Sequence, residues 1–267
     1  MTNQPASQEM VKGYDLQMYD EGTAYYYGYS DFYNYGYWQP GIESQKAACE
    51  NLVEKLLAFI PDKRGRILDV ACGMGATTRH LLNYYSAADV VGVNISEAQL
   101  ARARQNAPGC AFLAMDATDL QFEDASFDNV ICVEAAFHFD TRDKFLREAH
   151  RILKPGGRLV LSDILFLPIH PRAAERMHIP LVNQLDSPAA YQERLLAAGF
   201  QEAMVEDATQ ACWRGFYDHL GRWPKQERQA GRLTFRQYTR AVITTRLTRN
   251  FLKRGVRYYV LGWGQKG

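Results

Sequence analysis

The sequence predicts an α/β fold: a doubly wound, seven-stranded and mostly parallel sheet beneath a helical cap. Three observations predict it. Short runs rich in Val, Ile and Leu alternate with helical patterns from residue 66 to 165, and strands of that composition are buried on both faces, as in parallel sheets with helical crossovers. A small-residue turn, Ala71-Cys72-Gly73-Met74-Gly75, joins the first run to the first helix. Lys154-Pro155-Gly156-Gly157 closes a later helix and restarts the pattern with a further apolar run, a strong stop and turn signal.

Taken in order, Arg66–Ala71 is the first strand, and the helix after the glycine turn runs to about Tyr85. Asp89–Asn94 is the second strand, and Ser96 supplies a hydroxyl cap for a helix reaching about Asn106. Cys110–Ala114, Asn129–Glu134 and Arg158–Leu165 are the next three strands, with the helix Thr141–Leu153 before the last of them. Pro168–Asp186 is irregular, holding three prolines; Ser187-Pro188 then opens a helix that closes at Gly199. Gln201–Asp207 and Val256–Gly262 complete the seven strands, separated by a helical, basic stretch. Residues 1–60, 166–186 and 212–255 are expected to cover the carboxyl edge of the sheet.

Composition narrows the class. A chain of 267 residues with 47% hydrophobic and 23% charged residues is ordinary for a globular protein. No apolar run approaches the roughly 18 residues of a membrane span, and the first residues lack the apolar stretch of a secretory signal. The five cysteines (Cys49, Cys72, Cys110, Cys132, Cys212) are scattered and form no C-x-x-C pair, so neither a disulfide framework nor a metal site is expected, and a reducing cytoplasm is the expected setting. The formal charge of +1 hides an asymmetry: residues 212–255 hold eleven Lys/Arg against Asp218 and Glu227. A solvated helical face, an anionic acceptor and an acidic carrier protein each account for that run; nucleic acid does not, because the whole chain is nearly neutral and carries no accompanying binding motif. Between Tyr14 and Trp38, nine Tyr, one Phe and one Trp lie within 25 positions. These aromatics are expected either to close a lid or to pack the core or an oligomer contact.

The ligand signals follow the strands. Ala71 and Gly73 lie at a helix N-terminus whose backbone N–H groups can face a ligand, where a larger side chain would intrude. The second strand ends at Asn94-Ile95, where a nucleoside ribose is expected at the switch point of the sheet. Asp116-Ala117 follows the third strand, where a carboxylate and a backbone N–H can meet an adenine. Phe122–Asp128 and Leu153–Gly157 lead into the fourth and fifth strands. In order and spacing these residues resemble the class I S-adenosylmethionine-dependent methyltransferases, which implies a Rossmann-like fold, that cofactor and a small-molecule acceptor. Asp31–Trp38 resembles the aromatic entry segment of sterol side-chain methyltransferases and cyclopropane fatty-acid synthases, and the resemblance implies that Tyr33 and Asn34 hold the methionine part of the cofactor. Gln45, Gln99 and Glu134 match as well. Residues 1–60 would then be the aromatic lid, 61–165 the cofactor-binding core, and 166–267 the acceptor cap with the last strands.

Methyl transfer from a sulfonium needs an aligned acceptor in a dry pocket, and a hydroxyl acceptor also needs a base. His138, four residues past Glu134 at the end of the fourth strand, is the leading candidate base; a His packed between Phe137 and Phe139 is the bland alternative. His170, His178 and His219 in the cap segments and Asp163 on the fifth strand are weaker candidates, and His150 reads as structural. The cyclopropane synthases carry a Glu where this chain has Phe137, which disfavours their mechanism. Glu134–His138 resembles sterol methyltransferases, and with Phe139–Arg142 it is also similar to macrolide-tailoring methyltransferases. The first resemblance implies methylation of an alkene carbon, the second O-methylation of a secondary metabolite, and His138 favours oxygen. An NAD-dependent oxidoreductase is the minor alternative, since no hydride-transfer site is evident.

Overall fold

The computed structural model describes residues 4–253 and 255–267. Strand β1 (Ile67–Val70) lies at its centre, wholly buried, with β2 (Val90–Asn94) on one side and β4 (Phe127–Val133) on the other, both parallel to it. The remaining strands are β3 (Ala111–Ala114), β5 (Leu153–Phe166), β6 (Glu202–Asp207) and β7 (Val256–Gln265), and the sheet order is β3-β2-β1-β4-β5-β7-β6. Strand β7 runs antiparallel to both of its neighbours, β5 and β6. The chain moves outward from β1 to β3 and then returns to the other side at β4. That reversal opens a crevice at the carboxyl ends of β1 and β4, the usual ligand position in open α/β sheets.

Helices cover both faces. On one side α3 (Gln45–Leu57), α4 (Ala76–Leu81) and α9 (Gly215–Gln229) bury Leu52, Leu56, Leu81, Phe216 and Leu220 against the sheet. On the other, α6 (Arg142–Ile152) and α8 (Pro188–Ala197) bury Phe145, Leu146, Tyr191 and Leu195. The caps are those the sequence offers. Ser96 accepts from Gln99 N to start α5 (Glu97–Asn106), Thr141 accepts from Lys144 N, and Ser187 precedes Pro188 at the head of α8. Helices α1 (Gln4–Met18) and α2 (Glu21–Tyr26) precede the tyrosine-rich segment; α7 (Pro171–Arg176) and α10 (Phe235–Leu252) complete the set.

Three expectations need correction. The helix after the glycine turn ends at Leu81, and turns carry the chain to Tyr85. Lys154–Gly157, expected as a turn, belongs to β5: Leu153 pairs with Phe127, and a register shift absorbs the extra residues before Arg158. Lys266 holds this bulge through both its backbone groups, accepting from Gly156 N and donating to Gly157 O. The irregular 166–186 segment contains α7 and a 3-10 turn at Leu181–Asn183.

Candidate active site

A cavity of about 230 Å³ opens at the crevice. All eleven singled-out site residues line it: Tyr33, Asn34, Ala71, Gly73, Asn94, Ile95, Gln99, Asp116, Ala117, Glu134 and His138. Those from Ala71 to His138 converge because each stands at the end of a parallel strand or in the segment that follows it, and Tyr33 and Asn34 join them from the segment between α2 and α3. Four left-handed non-glycine residues surround the same space: Asp31 (φ 61°), Ala71 (φ 58°) and Glu134 (φ 51°) in its wall, and His178 (φ 52°) behind His138. Backbone in that region is costly for residues with a Cβ, and such strain clusters at functional sites.

The two glycines of the turn differ in purpose. A Cβ on Gly73 would find Met18 Cε at 3.4 Å and Gln99 Oε1 at 3.9 Å, so the protein leaves room there; a Cβ on Gly75 would strike the Ala103 backbone at 2.8 Å. Gly75 thus permits close packing of α5, while Gly73 borders the cavity.

His138 occupies the far end. Its Nδ1 lies 2.9 Å from the His178 carbonyl. A carbonyl only accepts, so Nδ1 carries the proton and Nε2 keeps its lone pair. Tyr14 of α1 lies 2.7 Å from that lone pair through its hydroxyl. Burial raises the Tyr14 phenol well above its ordinary value, so the hydroxyl keeps its proton and donates. Burial also lowers His138 to about 4, leaving a neutral imidazole at physiological pH. Deeper in the cavity, Glu134 accepts from Tyr35 N at 2.7 Å and from the Tyr259 hydroxyl. Burial outweighs both bonds and lifts its carboxyl to about 8.

The other candidates go elsewhere. Asp163 is fully buried and does not line the cavity: it pairs with Arg142 at 2.8 Å and accepts from the Tyr191 hydroxyl and from Phe137 N. His170 caps α7, His219 stacks on Trp38 at 4.4 Å, and His150 packs edge-on against Phe200. Of His178, it is the carbonyl that serves the site. Gln45 is buried below the cavity, donating to Asn34 O at 2.8 Å.

Among the described residues, none of 212–255 and no Lys or Arg lines the cavity; its ionisable side chains besides His138 and the tyrosines are Asp31, Asp69, Cys72, Asp116, Glu134 and Asp140. An anionic acceptor, one of the three readings of the basic run, would therefore meet no Lys or Arg among the described residues of the cavity wall. Arg214 and Arg232 are paired with Asp218 and Glu227, while Arg236, Arg240 and Arg246 stand exposed on α10.

The tyrosine cluster divides. Tyr14 and Tyr33 line the cavity edge to face, their ring centroids 6.0 Å apart. Tyr25, Tyr26 and Tyr35 instead pack against Trp223 and Phe216 of α9. Sequence reasoning missed the individual importance of Tyr14 and its neighbour Asp15. The only signal was membership of Tyr14 in the aromatic run.

Residues 68–161 match the family model described as a methyltransferase domain. The chain is 32% identical over 229 residues to the 27-O-demethylrifamycin SV methyltransferase of Amycolatopsis mediterranei (strain S699), covering 77% of this chain and 78% of that one. It is 28% identical to the erythromycin 3''-O-methyltransferase of Saccharopolyspora erythraea, over 79% and 76% of the two chains. Among solved structures, geranyl diphosphate C-methyltransferase from Streptomyces coelicolor A3(2) superposes with a TM-score of 0.69 at 14% identity, covering 98% of each chain. At that identity the likeness shows the fold.

Proposed function

The chain belongs to the S-adenosylmethionine-dependent methyltransferases, and from that premise we propose that it methylates a hydroxyl of a neutral, largely apolar small molecule. The observation that carries this reading is the locked tautomer of His138, which turns an unprotonated Nε2 toward the cavity. A wall without Lys or Arg among the described residues fits a neutral acceptor and a positively charged cofactor. The O-methylating relatives from Amycolatopsis and Saccharopolyspora support oxygen as the acceptor atom.

The residues suit the cofactor part by part. Ala71 and Gly73 leave space for its amino-acid end beside Tyr33 and Asn34. Asn94 meets the ribose, with Ile95 against the adenine. Asp116 spends Oδ1 on the Thr118 amide and hydroxyl, both at 2.8 Å, leaving Oδ2 for an adenine amino group beside the Ala117 N–H. Gln99 backs Asn94 and Glu134 faces the charged end. Helix α1 and Tyr33 form the lid. The bound cofactor supplies an electrophilic methyl group. His138 Nε2 then takes the proton that the acceptor oxygen sheds as it is methylated, and an entering hydroxyl competes with Tyr14 for that lone pair. Mass spectrometry and NMR of the product from a panel of hydroxylated acceptors test the reading; a methyl group on carbon would overturn it in favour of C-methylation.

Two further outcomes follow. Gly73→Val should weaken S-adenosylhomocysteine binding by roughly 1–3 kcal/mol, because its side chain enters space the ligand needs and its φ of 54° strains a β-branched residue. Titration calorimetry on the folded variant checks this, and unchanged affinity would remove the loop from the site. Glu134 gives a pH dependence. A carboxyl lifted to about 8 is protonated at neutral pH, whereas a sulfonium beside it favours the carboxylate. Binding below about pH 8 must therefore release a proton. Affinity for S-adenosylmethionine should rise with pH up to that point, by at most roughly tenfold per unit, and then level. Glu134→Gln should flatten the profile. Calorimetry in buffers of different ionisation enthalpy reads the proton directly, and no release by the wild type would refute the assignment.

A further inference from the structure

Helix α1 is fastened at two adjacent residues that reach opposite ends of the cavity. Tyr14 bonds His138, on the acceptor side. Asp15 reaches the head of α5, where its Oδ1 accepts from Gln99 Nε2 at 2.7 Å and from Ser96 Oγ at 2.9 Å. Tyr19, one turn further along the chain, donates to Ala98 O at 2.9 Å. Gln99 continues the line inward, since its Oε1 accepts from Asn94 Nδ2 at 2.7 Å.

The direction of this chain is set at its outer end. A carboxylate only accepts hydrogen bonds, so Asp15 obliges Gln99 to turn its NH2 outward. The Gln99 oxygen must then face Asn94, and Asn94 must answer with its own NH2. Asn94 Oδ1 is left for the cavity, and among the described residues no side chain or backbone group donates to it. Remove the carboxylate, and both amides can flip together without losing the bond between them. Asn94 would then present a donor to the ligand as readily as an acceptor.

We infer that Asp15 is a positioning residue for the cofactor: through Gln99 it fixes Asn94 Oδ1 as the acceptor for a ribose hydroxyl. This rests on the cavity being the S-adenosylmethionine site, as proposed above. Because Asp15 rides on α1, the orientation exists only while that helix is seated. Closure of the lid and recognition of the nucleoside are thereby one event, although Asp15 itself does not line the cavity.

The test is calorimetric titration of the full-length protein with S-adenosylhomocysteine, which needs no acceptor and no turnover. Asp15→Ala should weaken binding by roughly tenfold, the scale of one charge-assisted hydrogen bond, with an unfolding temperature in the absence of ligand close to wild type. Asp15→Asn, whose amide can accept from Gln99 or turn over and donate to it, no longer dictates the direction and should fall between wild type and Asp15→Ala. The decisive variant is Asn94→Asp. Alone it places carboxylates at both ends of Gln99, which cannot donate fully to both, so affinity should not improve. Combined with Asp15→Ala, it presents an acceptor whichever way it lies, and affinity should return to within about threefold of wild type. Wild-type binding by Asp15→Ala, or a double variant as weak as Asp15→Ala alone, would overturn the inference. Failure of the wild type to bind would instead overturn the cofactor reading beneath it.

Discussion

Replacing His138 with alanine should lower turnover by roughly 10²–10⁴-fold, the range for losing a positioned base, while S-adenosylhomocysteine affinity changes little. The His178 carbonyl fixes the tautomer, so the lone pair is present before substrate arrives. The pH profile follows from burial, which lowers the imidazole to about 4. Below that value Nε2 is protonated and cannot act; above it the base is available. With S-adenosylmethionine saturating at every pH, so that the Glu134 dependence of its binding drops out, the wild-type rate should therefore climb through pH 4 and stay flat across neutrality, unlike the midpoint near 6.5 of an unperturbed histidine. Such a low value still suffices, because an oxygen that is acquiring a methyl group becomes a far stronger acid than imidazolium. In the His138→Ala protein the remaining rate should lose this acid limb. A variant with near-normal turnover, or a wild-type profile that is still rising at neutral pH, would refute the assignment.

The convergence of the strand-end residues on one cavity was legible in the sequence because parallel topology turns spacing into geometry. Ala71, Asn94, Asp116 and Glu134 are separated along the chain yet share one edge, since each stands just after or at the end of a parallel strand. The lid contacts were not legible in the same way. Tyr14 meets His138 across 124 residues and Asp15 meets Gln99 across 84, and no periodicity encodes where a separate helix lands. Charge counts were equally blind to direction: the cations of 212–255 lie partly on α9, whose inner face is taken by Tyr25, Tyr26 and Trp38, and partly on α10, where Arg236, Arg240 and Arg246 are exposed. Asp163 shows the remaining ambiguity. A strand-end acid can point to either face of the sheet, and position along the strand alone does not say which.

Because Asp163 points into the α6–α8 layer, Asp163→Ala should destabilise the fold by about 3–5 kcal/mol, the cost of stranding a buried charge. Arg142 and Asp163 are both buried. The carboxylate also accepts from Tyr191, Ile164 N and Phe137 N. Arg142 in turn bonds the Asn183 carbonyl, and Asn183 donates to Phe137 O and Phe139 O on either side of His138. Losing the acid leaves the guanidinium without its counterion and loosens the turn that carries His138. Urea unfolding should show the lower midpoint. A double variant, Asp163→Leu with Arg142→Met, should recover much of the loss, because two apolar side chains leave no charge to strand. Turnover by Asp163→Ala should survive at low temperature in the fraction that stays folded, since the carboxylate does not reach the cavity. Full stability with abolished turnover would be the opposite result, and would return Asp163 to the chemistry.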